Sequence, residues 1–271
     1  MIPNQLTQAQ FDTVYNFLSF AIASQLFTTI FLLASQRRVL PRYRQALVIS
    51  ATVTGIAAYH YFRIFNSFDE AFVSKAVGGH GTYTQAVGSS FNEGYRYVDW
   101  LLTVPLLLTE LVVVLALAKK LQASLLVRLI PASALMIALG YPGEISGDNG
   151  TRNVFGLLST IPFLYILYVL FVELTKSLDR QPAAVRTTVS NLRWLLLATW
   201  GVYPIAYIIP LYFPHSGAAA WVAKQGGYSI ADITAKCVYG LLIYRIARVK
   251  SFADDPAFAA AEGESEHAHA A

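Results

Sequence analysis

The chain has 271 residues, 55% of them hydrophobic and only 13% charged. A soluble domain carries about a quarter of its residues as charges, so this composition excludes an ordinary water-soluble globule and indicates a membrane protein. The formal net charge of +4 would suit a nucleic-acid partner, but the basic residues sit in short segments flanking apolar runs, which is not a nucleic-acid surface. The single cysteine, Cys237, excludes an internal disulfide and reads as a small apolar packer.

A membrane-spanning helix needs about 20 mostly apolar residues. Seven segments qualify, at 11–34, 45–66, 94–118, 125–141, 153–174, 193–213 and 227–247, the fourth being the shortest. Their short connections make one domain. The expected fold is an all-α, seven-transmembrane-helix bundle over residues 1–250, followed by a tail at 251–271. Asp254, Asp255, Glu262, Glu264 and Glu266 among alanines predict that this tail is disordered. Fourteen of the twenty basic residues fall on one side of the bundle: Arg37, Arg38, Arg42 and Arg44; Lys119, Lys120 and Arg128; Lys176, Arg180, Arg186 and Arg193; Arg245, Arg248 and Lys250. The positive-inside rule makes that side cytoplasmic, with the amino terminus outside and the carboxyl terminus inside. No basic residue precedes the first segment, which argues against a cleaved signal peptide.

In chain order, residues 1–10 read as a polar outer tail. The second segment closes with Tyr59-His60-Tyr61-Phe62-Arg63, where His60 is either a satisfied core histidine or a working group. The connection at 69–90 is long and glycine-rich, and Thr82-Tyr83-Thr84 predicts a small hairpin. The third segment carries Arg96, Asp99, Thr103 and Glu110. Asp99 and Thr103 are four apart and share a face. Glu110 is eleven residues beyond Asp99, within about 20° of three full turns and about 16 Å along the axis. Ionisable groups in one row inside a membrane suggest a proton path, against a chance arrangement. Pro105 predicts a kink.

The fourth segment holds Met136 and Gly140 and ends in Pro142-Gly143-Glu144. Glu144 and the nearby Asp148 read as solvated turn acids. The fifth begins Phe155-Gly156-Leu157-Leu158-Ser159-Thr160. In the sixth, Trp200, Tyr203 and Tyr207 recur at helical spacing around Pro204, as core, as a lipid face or as the wall of a pocket for a flat conjugated ligand. In the seventh, Lys236 is near the middle of an apolar run, where a lysine costs roughly 2.5–3.5 kcal/mol. Asp232 is one turn earlier on the same face. The pair is either structural or the seat of a Schiff base with an aldehyde, whose cation needs a carboxylate counterion. His267 and His269 in the tail make a poor metal site, and no metal is expected. There is no P-loop, dinucleotide fingerprint, zinc spacing or nucleophile elbow.

Arg96-Tyr97-Val98-Asp99-Trp100-Leu101-Leu102-Thr103-Val104-Pro105-Leu106-Leu107-Leu108, Ser159-Thr160, Trp200 through Pro204 and Asp232 to Lys236 resemble the microbial (type 1) rhodopsins of the proteorhodopsin and xanthorhodopsin branch. The likeness extends from the first helix through Lys250 and is strongest to the xanthorhodopsin-like proton pumps of the Gloeobacter type. It implies a light-driven ion transporter, not an enzyme, that pumps protons outward across a bacterial cell (inner) membrane. Lys236 would carry all-trans retinal as a protonated Schiff base. Asp99 would be the counterion and proton acceptor, supported by a hydrogen bond from Thr103 and by His60, which matches the histidine that bonds the acceptor in this branch. Asp232 would be the second counterion, Arg96 an outer gate and Glu110 the inner proton donor, kept neutral by burial. Trp100, Met136, Gly140, Trp200, Tyr203, Pro204 and Tyr207 would line the retinal pocket. Leu107 occupies the position where leucine goes with green absorption. Gly156 stands where archaeal pumps have a tryptophan, and in xanthorhodopsin-like pumps a glycine there opens a window for a carotenoid antenna. Lys224 stands where bacteriorhodopsin has one of its outer release glutamates, so the resemblance implies that the archaeal release pair is absent, and Glu93 or Glu144 could replace it. The resemblance further implies a homo-oligomer, trimer to hexamer with a pentamer favoured. The rival reading is a photosensory rhodopsin signalling through a partner; such relatives often lack the donor carboxyl, which Glu110 supplies here.

Overall fold

The computed structural model describes residues 2–77, 80–212 and 217–270. Seven helical passes form the bundle: α1 (Gln8–Ala34), α2 (Pro41–Ala71), α3 (Gly94–Val114), α4 (Lys119–Ile145), α5 (Asn149–Tyr168), α6 (Ala183–Tyr212) and a seventh made of α7 (Gly217–Ile233) and α8 (Tyr239–Asp254). α7 and α8 are joined without a break by a π-helical turn, Thr234–Val238, and α5 continues into another, Val169–Glu173. Consecutive passes pack side by side, and α7 closes the ring against α1.

The local chemistry sets the helix starts. Thr7 caps α1 through a reciprocal box in which Thr7 Oγ1 accepts from the Gln10 amide and Gln10 Oε1 accepts from the Thr7 amide. α2 opens on Pro41, where the missing N–H costs nothing. Asp148 caps α5 by accepting from the Thr151 amide.

Among the described residues, four helical stretches are by themselves long and apolar enough to cross a membrane: Gln8–Arg38, Gly94–Val114, Lys119–Ile145 and Asn149–Ser177. The seventh pass is more polar because it delivers Asp232 and Lys236 to the interior. Large apolar side chains such as Phe20, Phe27, Leu157, Ile161 and Leu164 are exposed on the outside, as a lipid-facing surface requires.

One end of the bundle carries a three-stranded antiparallel sheet in the order β1 (Gln5–Thr7), β3 (His80–Gln85), β2 (Phe72–Val77). The β2–β3 hairpin falls where Thr82-Tyr83-Thr84 predicts it. β1 comes from the stretch read as a polar tail. Leu6 is its one inward side chain and is fully buried, and Phe11 stacks on Tyr83 with ring centroids 3.8 Å apart. That burial pairs the segment with β3.

The tail at the opposite end departs from the disorder expected at 251–271. α8 runs on to Asp254, and α9 (Pro256–Ala270) follows. Asp255 Oδ1 accepts from the amides of Ala257 and Phe258, Pro256 begins the helix, and alanines propagate it. Glu262 ties α9 to the bundle through Arg248 at 2.9 Å and Arg38 at 3.4 Å. The side chains of Glu264, Glu266, His267 and His269 lie outside the described residues.

Candidate functional site

The π-helical turn widens the seventh pass where Lys236 projects into the bundle. Lys236 is 2% exposed, and its Nζ donates to Asp99 Oδ2 at 2.6 Å and to Asp232 Oδ1 at 2.9 Å. Asp232 also accepts from Tyr203 Oη at 2.6 Å, Trp100 Nε1 at 3.2 Å and, on its other oxygen, Tyr61 Oη at 2.7 Å. Asp99 is served differently: its Oδ1 is buried and, among the described residues, has no hydrogen-bond partner. Arg96 donates to Tyr61 Oη at 3.0 Å and Gln225 Oε1 at 2.8 Å, lies 3.9 Å from Asp232, and is sandwiched by the rings of Tyr61 and Tyr228. Two cations, Lys236 and Arg96, thus balance two carboxylates. Such balance is what lets a buried charge set persist.

Two supports expected for Asp99 take another form. Thr103 Oγ1 donates to the main-chain carbonyl of Asp99 at 2.8 Å, not to its carboxylate, because a helical threonine reaches the carbonyl one turn back most easily. Among the described residues His60 does not hydrogen-bond Asp99; its ring is buried and its Nδ1 is engaged with the Ile56 carbonyl at 3.0 Å. Glu110 is fully buried farther along α3 toward the α9 end, and neither of its oxygens has a hydrogen-bond partner. Its polar neighbour is the Ser50 hydroxyl, which is likewise buried without a partner by hydrogen-bond geometry.

A mostly apolar cavity borders Lys236. Trp100, Leu107, Met136, Gly140, Gly156, Trp200, Tyr203, Pro204 and Tyr207 all line it, as do Tyr97, Phe163 and Tyr228. A long apolar aldehyde linked to the lysine fits this donor set, since the resulting cation would face the same two carboxylates. Gly156 is not an open notch on the protein side. A Cβ there would meet the Tyr207 ring at 3.1 Å, and one on Gly143 would stand 1.9 Å from Tyr207 Oη. Tyr207 leans into the gap these two glycines leave and donates to the Arg152 carbonyl at 2.6 Å.

The sequence reading missed Tyr61, Gln225 and Tyr228, three polar side chains that surround Arg96. Tyr61 had a signal, being adjacent to His60 inside an apolar run; the other two had none. Glu144 also differs from expectation. Its side chain is 7% exposed and pairs with Lys224 at 3.0 Å. Asp148 is the exposed helix cap described above. The Thr151 amide and hydroxyl hold its carboxyl below the usual range.

These features define a class: a seven-helix membrane protein with a buried lysine between two carboxylates at the mouth of an apolar pocket. Residues 12–249 match the sequence family described as bacteriorhodopsin-like protein. The chain is 29% identical over 226 residues to a green-light absorbing proteorhodopsin of Gamma-proteobacterium EBAC31A08, covering 83% of this chain and 82% of that one. It is 31% identical over 202 residues to archaerhodopsin-2 of Halobacterium sp. (strain aus-2), covering 74% and 72%. Among solved structures it resembles xanthorhodopsin, a light-driven ion pump with a dual chromophore, with TM-score 0.87 and 47% identity over 93% of this chain and 98% of that one. It resembles a thermophilic rhodopsin equally, with TM-score 0.88 and 45% identity over 94% and 99%. The chain therefore belongs to the bacteriorhodopsin-like family, as a microbial rhodopsin of the proteorhodopsin and xanthorhodopsin branch.

Proposed function

We propose that this chain is a light-driven outward proton pump that carries all-trans retinal on Lys236. The observation that carries the reading is the Lys236 nitrogen, buried and within 2.6 Å of Asp99 and 2.9 Å of Asp232. Bound retinal supplies a light-driven change in the direction and proton affinity of that nitrogen. Asp99 then accepts the proton: one oxygen is already in contact, and the other has no competing donor. Asp232 stays anionic throughout, because Tyr61, Tyr203 and Trp100 donate to it. Arg96 screens the pair on its outer side. Glu110 returns a proton from the inner side. Full burial disfavours its charged form, so it is neutral at rest and able to donate.

Basic residues concentrated at the α9 end support a reading in which that end lies in the cytoplasm of a bacterial inner membrane and the sheet lies outside. The direction of transport then runs from Glu110 to Asp99. Leu107 beside the chromophore favours green absorption. Gly156, with the dual chromophore of the xanthorhodopsin relative, supports a carotenoid antenna, which would have to pack on Tyr207. A homo-oligomer, with the pentamer first among its sizes, rests on the resemblance alone.

The test is expression with retinal and illumination while external pH is followed. The medium should acidify, and a protonophore should abolish the signal. A coloured protein that cycles without moving external pH would instead be a sensor.

A further inference from the structure

Beyond Arg96, the sheet end of the bundle holds a second charged cluster. Gln225 accepts from Arg96 and passes a hydrogen bond on, its Nε2 donating to Glu93 Oε1 at 2.6 Å. Lys224 Nζ stands between two carboxylates, 3.0 Å from Glu93 Oε2 and 3.0 Å from Glu144 Oε1. Two acids sharing one ammonium leave room for one more proton. The two acids are not equivalent. Both Glu93 oxygens accept a hydrogen bond, whereas Glu144 Oε2 is buried and, among the described residues, has no partner, on a side chain that is 7% exposed. Burial works against the charge on Glu93, but Lys224, the two hydrogen bonds and Arg96 outweigh it and hold its carboxyl below the usual range. Both Glu93 oxygens are thus engaged, and Glu144 Oε2 is the carboxylate oxygen of the cluster left open. Both acids border a polar cavity of about 440 Å³ at the sheet end, lined also by Asn92, Ser90 and Tyr141.

We propose that Glu144 is the last protein group the outgoing proton occupies, with Lys224 and Glu93 as its positioning partners. The proposal rests on the pump reading above and deepens it. In the step, the O–H bond of protonated Asp99 breaks and an O–H bond forms at Glu144 Oε2. That bond then breaks to water in the cavity, and each electron pair stays on the carboxylate it came from. Proton exit is then late, coupled to the recovery of Asp99.

The test uses the full chain with retinal in liposomes, followed after a flash by absorption, by a pH-indicating dye outside and by infrared spectroscopy. Glu144→Gln should delay both the dye signal and the final absorption phase by at least roughly tenfold. Earlier phases should change little. It should also erase a transient carboxylic C=O band, and Glu144→Asp should recover most of the rate. The assignment is overturned if Glu144→Gln leaves the final phase and dye signal unchanged, if the C=O band survives it, or if Glu144→Asp is as slow as Glu144→Gln. Failure of the unsubstituted protein to acidify the outside overturns the pump reading itself. Normal pumping with an unaffected Glu144→Gln overturns only the exit group.

Discussion

Lys236, Asp99, Asp232 and Glu110 are all buried, yet their surroundings assign them different fates under substitution. Asp232 is a hub for Lys236, Tyr61, Tyr203 and Trp100, so Asp232→Asn strands several donors in the interior. Breaking such a buried pair costs about 3–5 kcal/mol, and a clear fall in thermal midpoint should register it. Asp99→Asn keeps the volume and removes the acceptor; light-driven acidification should vanish and the absorption band should move to the red. Among the described residues Glu110 makes no hydrogen bond of standard geometry. Glu110→Gln should therefore leave stability within about 1 kcal/mol of the parent while slowing the second half of the photocycle, seen by flash absorption. Full-rate acidification with an unslowed cycle in that variant would remove Glu110 from the donor role. Lys236→Ala should give a protein that stays colourless with retinal.

At the scale of elements, two π-helical turns do different work. The one at Thr234–Val238 presents Lys236. The one at Val169–Glu173 accompanies a latch between α5 and α6, because the Leu170 carbonyl there accepts from Arg193 Nη1 at 2.9 Å, with Thr175 Oγ1 at 2.6 Å. Arg193→Met leaves both acceptors without their donor. A loss of about 1–3 kcal/mol follows, measurable as a lower melting temperature with the colour of the folded protein retained. The groove of Gly143 and Gly156 is equally specific. Gly143→Ala drives a methyl into Tyr207 Oη and should cost its bond to Arg152, shifting the absorption maximum. The Asp148 cap has a pH signature. Its folded carboxyl lies below the unfolded value, so its contribution is complete above about pH 4 and lost as pH falls through the lower folded value. Amide exchange at Thr151 should rise in that acidic window and should not respond in Asp148→Ala.

For the whole molecule, the two ends are chemically distinct. The sheet end is closed by β1, β2 and β3 and contains the Glu93–Lys224–Glu144 cluster. The other end is braced by α9 through Glu262. α9 contributes nothing to the cavity. Removing residues 256–271 should leave the absorption spectrum and the acidification rate unchanged, and loss of colour on truncation would show that the bracing reaches the pocket.

The sequence by itself determined the seven passes, since an apolar run of spanning length has one stable fate in a bilayer. It also determined the row on α3 and the Asp232–Lys236 pair, because helical spacing places those residues on shared faces without help from any other segment. Only the tertiary structure decided what joins different passes. Tyr61 and Gln225 reach Arg96 from α2 and α7, His60 turns to the Ile56 carbonyl instead of Asp99, and Glu144 becomes a buried partner of Lys224. Local periodicity carries no information about which helix ends meet. The same holds for β1, whose single buried leucine needed β3 beside it, and for the tail, whose helix is anchored by Arg38, more than 200 residues earlier, and by Arg248 on α8.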